Sequence, residues 1–188
     1  LGFVFHHASP RDVTPEQCCS IIAGLEGRFV GVFVEQSNEE IAGLARQCGL
    51  HGVQLHGDQN EDDVRYLKTQ LPGLFIVRVM RVAGEDVRLP ETNADYILLD
   101  AMAPDALGGT GRRIQMAALT RLATESPEIF KNRLLIAGGL GPENISEVAA
   151  LGPFGCDLSS GVESVPGTKD QQKLRQLFHN LRGLWCKK

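Results

Sequence analysis

The chain has 188 residues, 43% of them hydrophobic, which suits one domain with a sizeable core, since a single core is normally sustained over roughly 100–200 residues. Its 19 basic and 23 acidic side chains are scattered and leave a formal net charge of -4; nucleic acid as a partner calls for clustered Lys and Arg, and only Arg182, Lys187 and Lys188 are locally basic. An odd set of five cysteines (Cys18, Cys19, Cys48, Cys156, Cys186) without a C-x-x-C pair argues against a disulfide scaffold and a metal site, and no membrane-length apolar run or secretory leader is present, so the expectation is a cytoplasmic protein with free thiols and no membrane contact.

Residues 2–5 already read as a strand, with no initiator methionine ahead of them, which suggests a fragment or the loss of an upstream piece. After the loop His6 to Val13, Thr14 is the expected N-cap of a helix over 15–24, with Pro15 at its first position and Gln17 closing a capping box. A strand over 29–34 follows. Ser37 or Asn38 then opens a helix to Cys48, with Gly49 as its stop. A short strand over 52–56 ends at Gly57, Asn60 or Asp58 starts a helix through Lys68, and Pro72-Gly73 breaks it. A strand over 74–82 carries Arg78 and Arg81, 83–93 holds at most a turn of helix, and Tyr96 to Asp100 is an apolar strand ending in a carboxylate. Beyond a loop with Gly108, Gly109 and Gly111, a helix spans 116–124, with a further turn permitted by Ser126-Pro127. A strand over 133–139, a helix over 143–150 headed by Pro142, a strand with its exit loop over 156–161 and an amphipathic helix over 169–182 complete the chain.

Strand and helix thus alternate seven times, a pattern that demands an α/β fold with a parallel sheet and right-handed crossovers. An open sheet and a closed barrel both satisfy it. Seven units, the first strand at the very N-terminus and no nucleotide fingerprint after it point to a (β/α)8 TIM barrel lacking its first β-strand and helix, as a single domain over residues 1–188. In a barrel the chemistry sits at the C-terminal ends of the strands, where Gln54 and His56, Arg78, Asp100, Gly138 and Gly139, and Ser159 to Gly161 fall.

Gly138-Gly139 and Ser159-Ser160-Gly161 end successive strands, so their backbone N–H groups can converge on one anion, a phosphate being the natural guest; a tight turn capped by the serines is the plainer alternative. Asp100 shares the strand parity of Leu98 and is suited to proton donation if Leu98 faces the interior, or else simply accepts backbone hydrogen bonds. Gly108, Gly109 and Gly111 would let the following loop close over a site. Gln54 and His56 share a face, so at least one is expected in the mouth, and Arg11 meets an anionic group such as a carboxylate or a salt-bridge partner at the rim. None of the cysteines is placed for catalysis, which leaves an acid without a base.

As a set, Gly2-Phe3-Val4-Phe5 with Ser9-Pro10-Arg11, Gly31-Val32-Phe33, Val53-Gln54-Leu55-His56-Gly57, Leu98-Leu99-Asp100 with Gly108-Gly109-Thr110-Gly111, Ala137-Gly138-Gly139-Leu140 with Pro142-Glu143-Asn144, and Asp157 to Glu163 with Pro166-Gly167-Lys169-Asp170 closely resemble phosphoribosylanthranilate isomerase of tryptophan biosynthesis. The resemblance implies a cofactor-free aldose–ketose isomerase performing the Amadori rearrangement of N-(5-phospho-β-D-ribosyl)anthranilate to 1-(2-carboxyphenylamino)-1-deoxy-D-ribulose 5-phosphate. It implies Asp100 as the acid that protonates the ribose ring oxygen, Arg11 on the anthranilate carboxylate, and Gly138, Gly139, Ser159, Ser160 and Gly161 around the phosphate. Fusion or association with another tryptophan-pathway enzyme is a further expectation. The family's base is a cysteine in a Lys-Ile-Cys-Gly type first strand, which this sequence does not contain, and Ile114-Gln115-Met116 departs from the aromatic, aspartate and tryptophan usual after the glycine loop. The chain alone is therefore expected to have little isomerase activity. The alternative is a non-catalytic remnant barrel that binds a phosphosugar or a protein partner.

Overall fold

Hydrogen bonds between side chains and helix ends set the element boundaries in the computed structural model, which describes residues 1–84, 86–101 and 114–184. Gly108, Gly109, Gly111 and Cys186 lie outside the described residues. The chain divides into two units, one of Leu1–Val79 and Glu91–Tyr96, the other of Met80–Pro90 and the chain from Ile97 onward.

The first unit runs β1 (Gly2–Phe5), α1 (Pro15–Ile22), β2 (Val30–Phe33), α2 (Asn38–Gln47), β3 (Gly52–Leu55), α3 (Glu61–Gln70) and β4 (Phe75–Val82), the last three residues of β4 belonging to the second unit. Each helix opens with a capping box: Thr14 with Gln17, Ser37 with Glu40, and Asn60 with Asp63 exchange side-chain and backbone hydrogen bonds across the first turn. Orphan N–H groups are satisfied there, which is why these starts are legible locally. The four strands pair parallel in chain order, with Val4, Val32, Gln54 and Val77 in one row and Phe5, Phe33, Leu55 and Arg78 in the next.

These alternate rows face opposite ways. Phe3, Phe5, Phe33, Val53, Leu55 and Ile76 join Ile41, Ala45, Val64 and Leu67 of the helices in one buried core, with Phe5 stacked on Phe33 at a ring separation of 5.3 Å. Burial of each such side chain favours folding by roughly 1.5–3 kcal/mol. The row of Val4, Val32, Gln54 and Val77 therefore faces away from the helices.

The second unit runs β5 (Tyr96–Ala101), whose first residue lies in the first unit, then α4 (Met116–Glu125), α5 (Pro127–Asn132), β6 (Leu134–Ile136), α6 (Ile145–Ala150), β7 (Gly155–Cys156), a 3-10 turn over Ser160–Val162, β8 (Glu163–Val165), β9 (Thr168–Lys169) and α7 (Gln171–Leu181). Strands β5, β6 and β7 pair parallel in that order. Ile97, Leu99, Leu134 and Ile136 pack with Leu119, Leu122, Ile145 and Val148 from the helices, and Phe130 of α5 is fully buried among them.

The parallel strands and most helices fall where the sequence places them, with three differences. The described residues between β4 and β5 hold no helix or strand, so the alternation is interrupted once. Strand β7 is only two residues long, because Asp157 follows it and the chain turns into the exit loop. Residues 163–169 form a small antiparallel hairpin, β8 with β9, that periodicity over so few residues does not reveal.

Candidate active site

In the second unit, the acid at the end of β5 lies beside the glycine loop after β6. Ile97, Leu99 and Ala101 belong to the helix-facing core, so the intervening Leu98 and Asp100 take the opposite face, as their parity predicts. Gly138 approaches Ala101 so closely that a Cβ would clash with Ala101's Cβ and backbone N, and its φ of 90° suits glycine in any case.

The two loops expected to hold an anion touch one another. A Cβ on Gly161 would collide with the carbonyl oxygen of Leu140, so only glycine lets the two backbones meet there. The first loop is stapled by Asn144, which is buried: its Oδ1 accepts from the Gly141 N–H at 2.9 Å and its Nδ2 donates to the Gly139 carbonyl at 2.8 Å. The second loop is held from beneath by Lys169, whose Nζ donates to the Ser159 carbonyl at 3.1 Å and to Oε1 of Glu163 at 2.9 Å. Glu163 has a side chain only 3% exposed, and Lys173 donates to its carbonyl at 2.7 Å. A buried carboxylate persists only when paired, so Lys169 secures the loop and the carboxylate together.

The strand ends of the first unit carry Gln54 and His56. Gln54 is buried on the face away from the helices, between Val32 and Val77, and among the described residues its carboxamide makes no hydrogen bond. His56 follows the end of β3, and its N–H donates to the Phe33 carbonyl at 2.8 Å. Side-chain amides extend the ladder past the strand ends: Gln36 accepts from Val34 N and donates to the Phe5 carbonyl, while Gln59 accepts from Gly57 N and donates to the Val34 carbonyl. Their common offset, two residues beyond the N–H they accept from, is the sequence signal that could have found them.

Arg78 is level with these strand ends, in register with Leu55, but it lies in the helix-facing row and pairs with Glu61 at the first position of α3. Glu61 also accepts from Thr92 Oγ1 (2.5 Å), Asn93 N (2.9 Å) and Asn93 Nδ2 (3.2 Å). Burial pulls its pKa up, but the Asn93 backbone, the Thr92 hydroxyl, the Asn93 amide and the Arg78 charge outweigh it and bring the carboxyl to about 2.

Arg11 is half-buried on the loop after β1, a loop that folds back so that Asp12 bridges to Val4. Burial makes three of the thiols less acidic. Burial, then the charge of Asp157, pushes Cys156 up to about 12; burial, with neighbouring thiols, pushes Cys48 up to about 12; and burial raises Cys18. Among the described residues, no three His, Cys, Asp or Glu side chains are arranged to hold a metal ion, and no helix is long and apolar enough to cross a membrane.

Comparison with known proteins shows the family of the chain. The sequence model for N-(5'-phosphoribosyl)anthranilate (PRA) isomerase matches residues 1–180. N-(5'-phosphoribosyl)anthranilate isomerase of Gloeothece citriformis is 40% identical over 188 residues, covering 96% of this chain and 83% of the relative. The crystal structure of phosphoribosyl anthranilate isomerase from Thermus thermophilus superposes with a TM-score of 0.82 at 33% identity, covering 96% of this chain and 86% of that one. A structure of phosphoribosyl anthranilate isomerase in complex with reduced 1-(o-carboxyphenylamino)-1-deoxyribulose 5-phosphate superposes with a TM-score of 0.74 at 27% identity, covering 97% and 86%. With its strand order, its acid-bearing β5 and its paired glycine loops, the chain belongs to the N-(5'-phosphoribosyl)anthranilate isomerase family.

Proposed function

We propose that Asp100 is the general acid of a phosphoribosylanthranilate isomerase, and that Gly138, Gly139, Ser159, Ser160 and Gly161 bind the substrate's phosphate. The observation that carries this is the contact of the Gly138 loop with Ala101, next to Asp100, and of Gly161 with Leu140. Backbone N–H groups on two such loops suit a phosphate, and a carboxyl beside them suits the ribose end of the same molecule.

In this scheme Asp100 gives its proton to the ring oxygen as the C1–O bond breaks, leaving a Schiff base between C1 and the anthranilate nitrogen. Loss of the C2 proton to a base then gives the enolamine, which tautomerises to the aminoketose. Arg11 is assigned to the anthranilate carboxylate as a charge-assisted pair, and the carboxamide of Gln54, with His56, to the polar groups of the substrate. Gly108, Gly109 and Gly111 are assigned to loop closure over the substrate. No step calls on a cofactor or metal.

The base is assigned to no residue of this chain, because none of its cysteines matches the Lys-Ile-Cys-Gly type motif that carries the family's base. The fold that accommodates this is a (β/α)8 barrel of which the chain supplies seven units as one phosphosugar-binding domain. We assign the chain a cytoplasmic setting; fusion or association with another tryptophan-pathway enzyme is supported by its 37% identity to the tryptophan biosynthesis protein TrpCF of Vibrio parahaemolyticus, of which it covers 36%. The comparisons favour the isomerase over a non-catalytic phosphosugar-binding protein.

The test is to measure turnover of N-(5-phosphoribosyl)anthranilate by the purified chain together with binding of the reduced product analogue. Binding with turnover far below that of the relatives is expected, and Asp100→Asn should leave binding intact. Turnover at the relatives' rate would overturn the assignment of the base, and undiminished turnover in Asp100→Asn would overturn that of the acid.

A further inference from the structure

The loop that carries Arg11 is closed by its neighbour, and we infer that Asp12 is the positioning residue that sets Arg11 for the substrate's carboxylate. This inference rests on the assignment of Arg11 to that carboxylate. Oδ1 of Asp12 accepts the His6 backbone N–H at 2.9 Å, at the point where the chain leaves β1, and Oδ2 lies 2.8 Å from Nδ1 of His7. Asp12 N–H donates to the Ser9 carbonyl at 3.1 Å, Arg11 N–H donates to Ser9 Oγ at 3.1 Å, and Ser9 N–H donates to the His6 carbonyl at 2.8 Å. Beyond the loop, Val13 N–H donates to the Val4 carbonyl at 3.0 Å, and Asp12 forms a parallel bridge with Val4.

Arg11 is thus the residue before the closure, its own N–H tied to Ser9 and its successor pinned to both ends of the loop. The His6–Asp12 bond spans six residues, so its loss releases the loop between them, whereas the bridge to Val4 still anchors the far end. An arginine held in this way meets a planar carboxylate without first ordering its backbone, and that saving appears as affinity for carboxylate-bearing ligands alone. His7 is almost fully exposed, so the backbone bond from His6, rather than the imidazole of His7, carries the effect.

The experiment titrates the chain calorimetrically with reduced 1-(o-carboxyphenylamino)-1-deoxyribulose 5-phosphate and with the same compound lacking the ring carboxylate. The ratio of the two affinities isolates the Arg11 interaction. Asp12→Ala is expected to lower this ratio about tenfold while the carboxylate-free compound binds as before. Asp12→Asn is expected to preserve the ratio, since its amide oxygen still accepts the His6 N–H. An unchanged ratio in Asp12→Ala, or an equal loss in Asp12→Asn, overturns the inference. Should Asp12→Ala fail to fold by circular dichroism, Asp12→Leu, which keeps the side chain's size without an acceptor for the His6 N–H, decides, a lowered ratio supporting the inference and an unchanged one overturning it. Arg11→Ala keeps the two proposals apart: if it leaves the ratio unchanged, the assignment of Arg11 fails and this inference with it, and if it alone collapses the ratio, only the role of Asp12 falls. Failure of the unaltered chain to bind either compound overturns both.

Discussion

Replacing Glu61 by glutamine should weaken the first unit in a way that depends on pH. The carboxylate ties the first turn of α3 to β4 through Arg78 and to residues 92–93, which lead into β5 and Asp100. Its pKa of about 2 lies well below the ordinary 4.5, a difference on the order of 3 kcal/mol. A quarter of the side chain is exposed, so solvent screening lowers the expected contribution to about 1–2 kcal/mol. A carboxyl whose folded pKa is depressed stabilises fully above its unfolded pKa, and the stability is lost as pH falls from about 4.5 toward 2. Urea unfolding followed by circular dichroism should show Glu61→Gln less stable by about 1–2 kcal/mol at pH 7, a midpoint shift of roughly half a molar. At pH 3 less than about half of that difference should remain, because the unaltered chain has by then lost most of the same contribution. An equal penalty at both pH values, or none at pH 7, would refute the electrostatic account of Glu61.

Phe33→Ala should destabilise the chain by about 3–5 kcal/mol in the same unfolding experiment, since the ring is fully buried and stacked on Phe5. Gly161→Ala should weaken binding of the phosphorylated product analogue by about tenfold or more in calorimetry, because the new methyl group forces the loop away from Leu140. Lys169→Met should cost about 2 kcal/mol in thermal or urea unfolding and also loosen phosphate binding, as it leaves the Glu163 carboxylate buried without its cation and frees the Ser159 carbonyl. Iodoacetamide at pH 7.5 should fail to label Cys48 and Cys156 until the chain is unfolded, with mass spectrometry as the readout; rapid labelling of the folded chain would contradict their elevated pKa values.

Much of the candidate site is legible because its elements are announced by short-range chemistry. The three capping boxes of the first unit lie within four residues each, so their helix starts need no tertiary information. The orientation of Asp100 follows from the two-residue period of β5, with Ile97 and Leu99 committed to the core. The glycine loops are visible as composition, although their mutual contact is not.

What failed to appear in the sequence depends on register and on contacts between distant residues. The role of Arg78 turns on which face of β4 it takes, and its register with Leu55 sends it toward Glu61 on the helix-facing side. The clasps made by Gln36 and Gln59 need the neighbouring strand's carbonyl, which only the parallel pairing supplies. Lys169 and Glu163 stand six residues apart, but the hairpin that brings them to Ser159 is too short to carry a periodic signal.

By itself the sequence determined the order of strands and helices, their capped starts, the face of β5 that bears Asp100, and the motifs that mark the isomerase family. These are properties of neighbours along the chain, where spacing and backbone hydrogen bonding leave few choices. The tertiary structure alone decided that Gly138 abuts Ala101, that Gly161 meets Leu140, that Gln54 is buried, and that Asp12 closes the loop of Arg11. Each of these depends on which backbones approach one another, and that is set by strand register and packing rather than by local pattern.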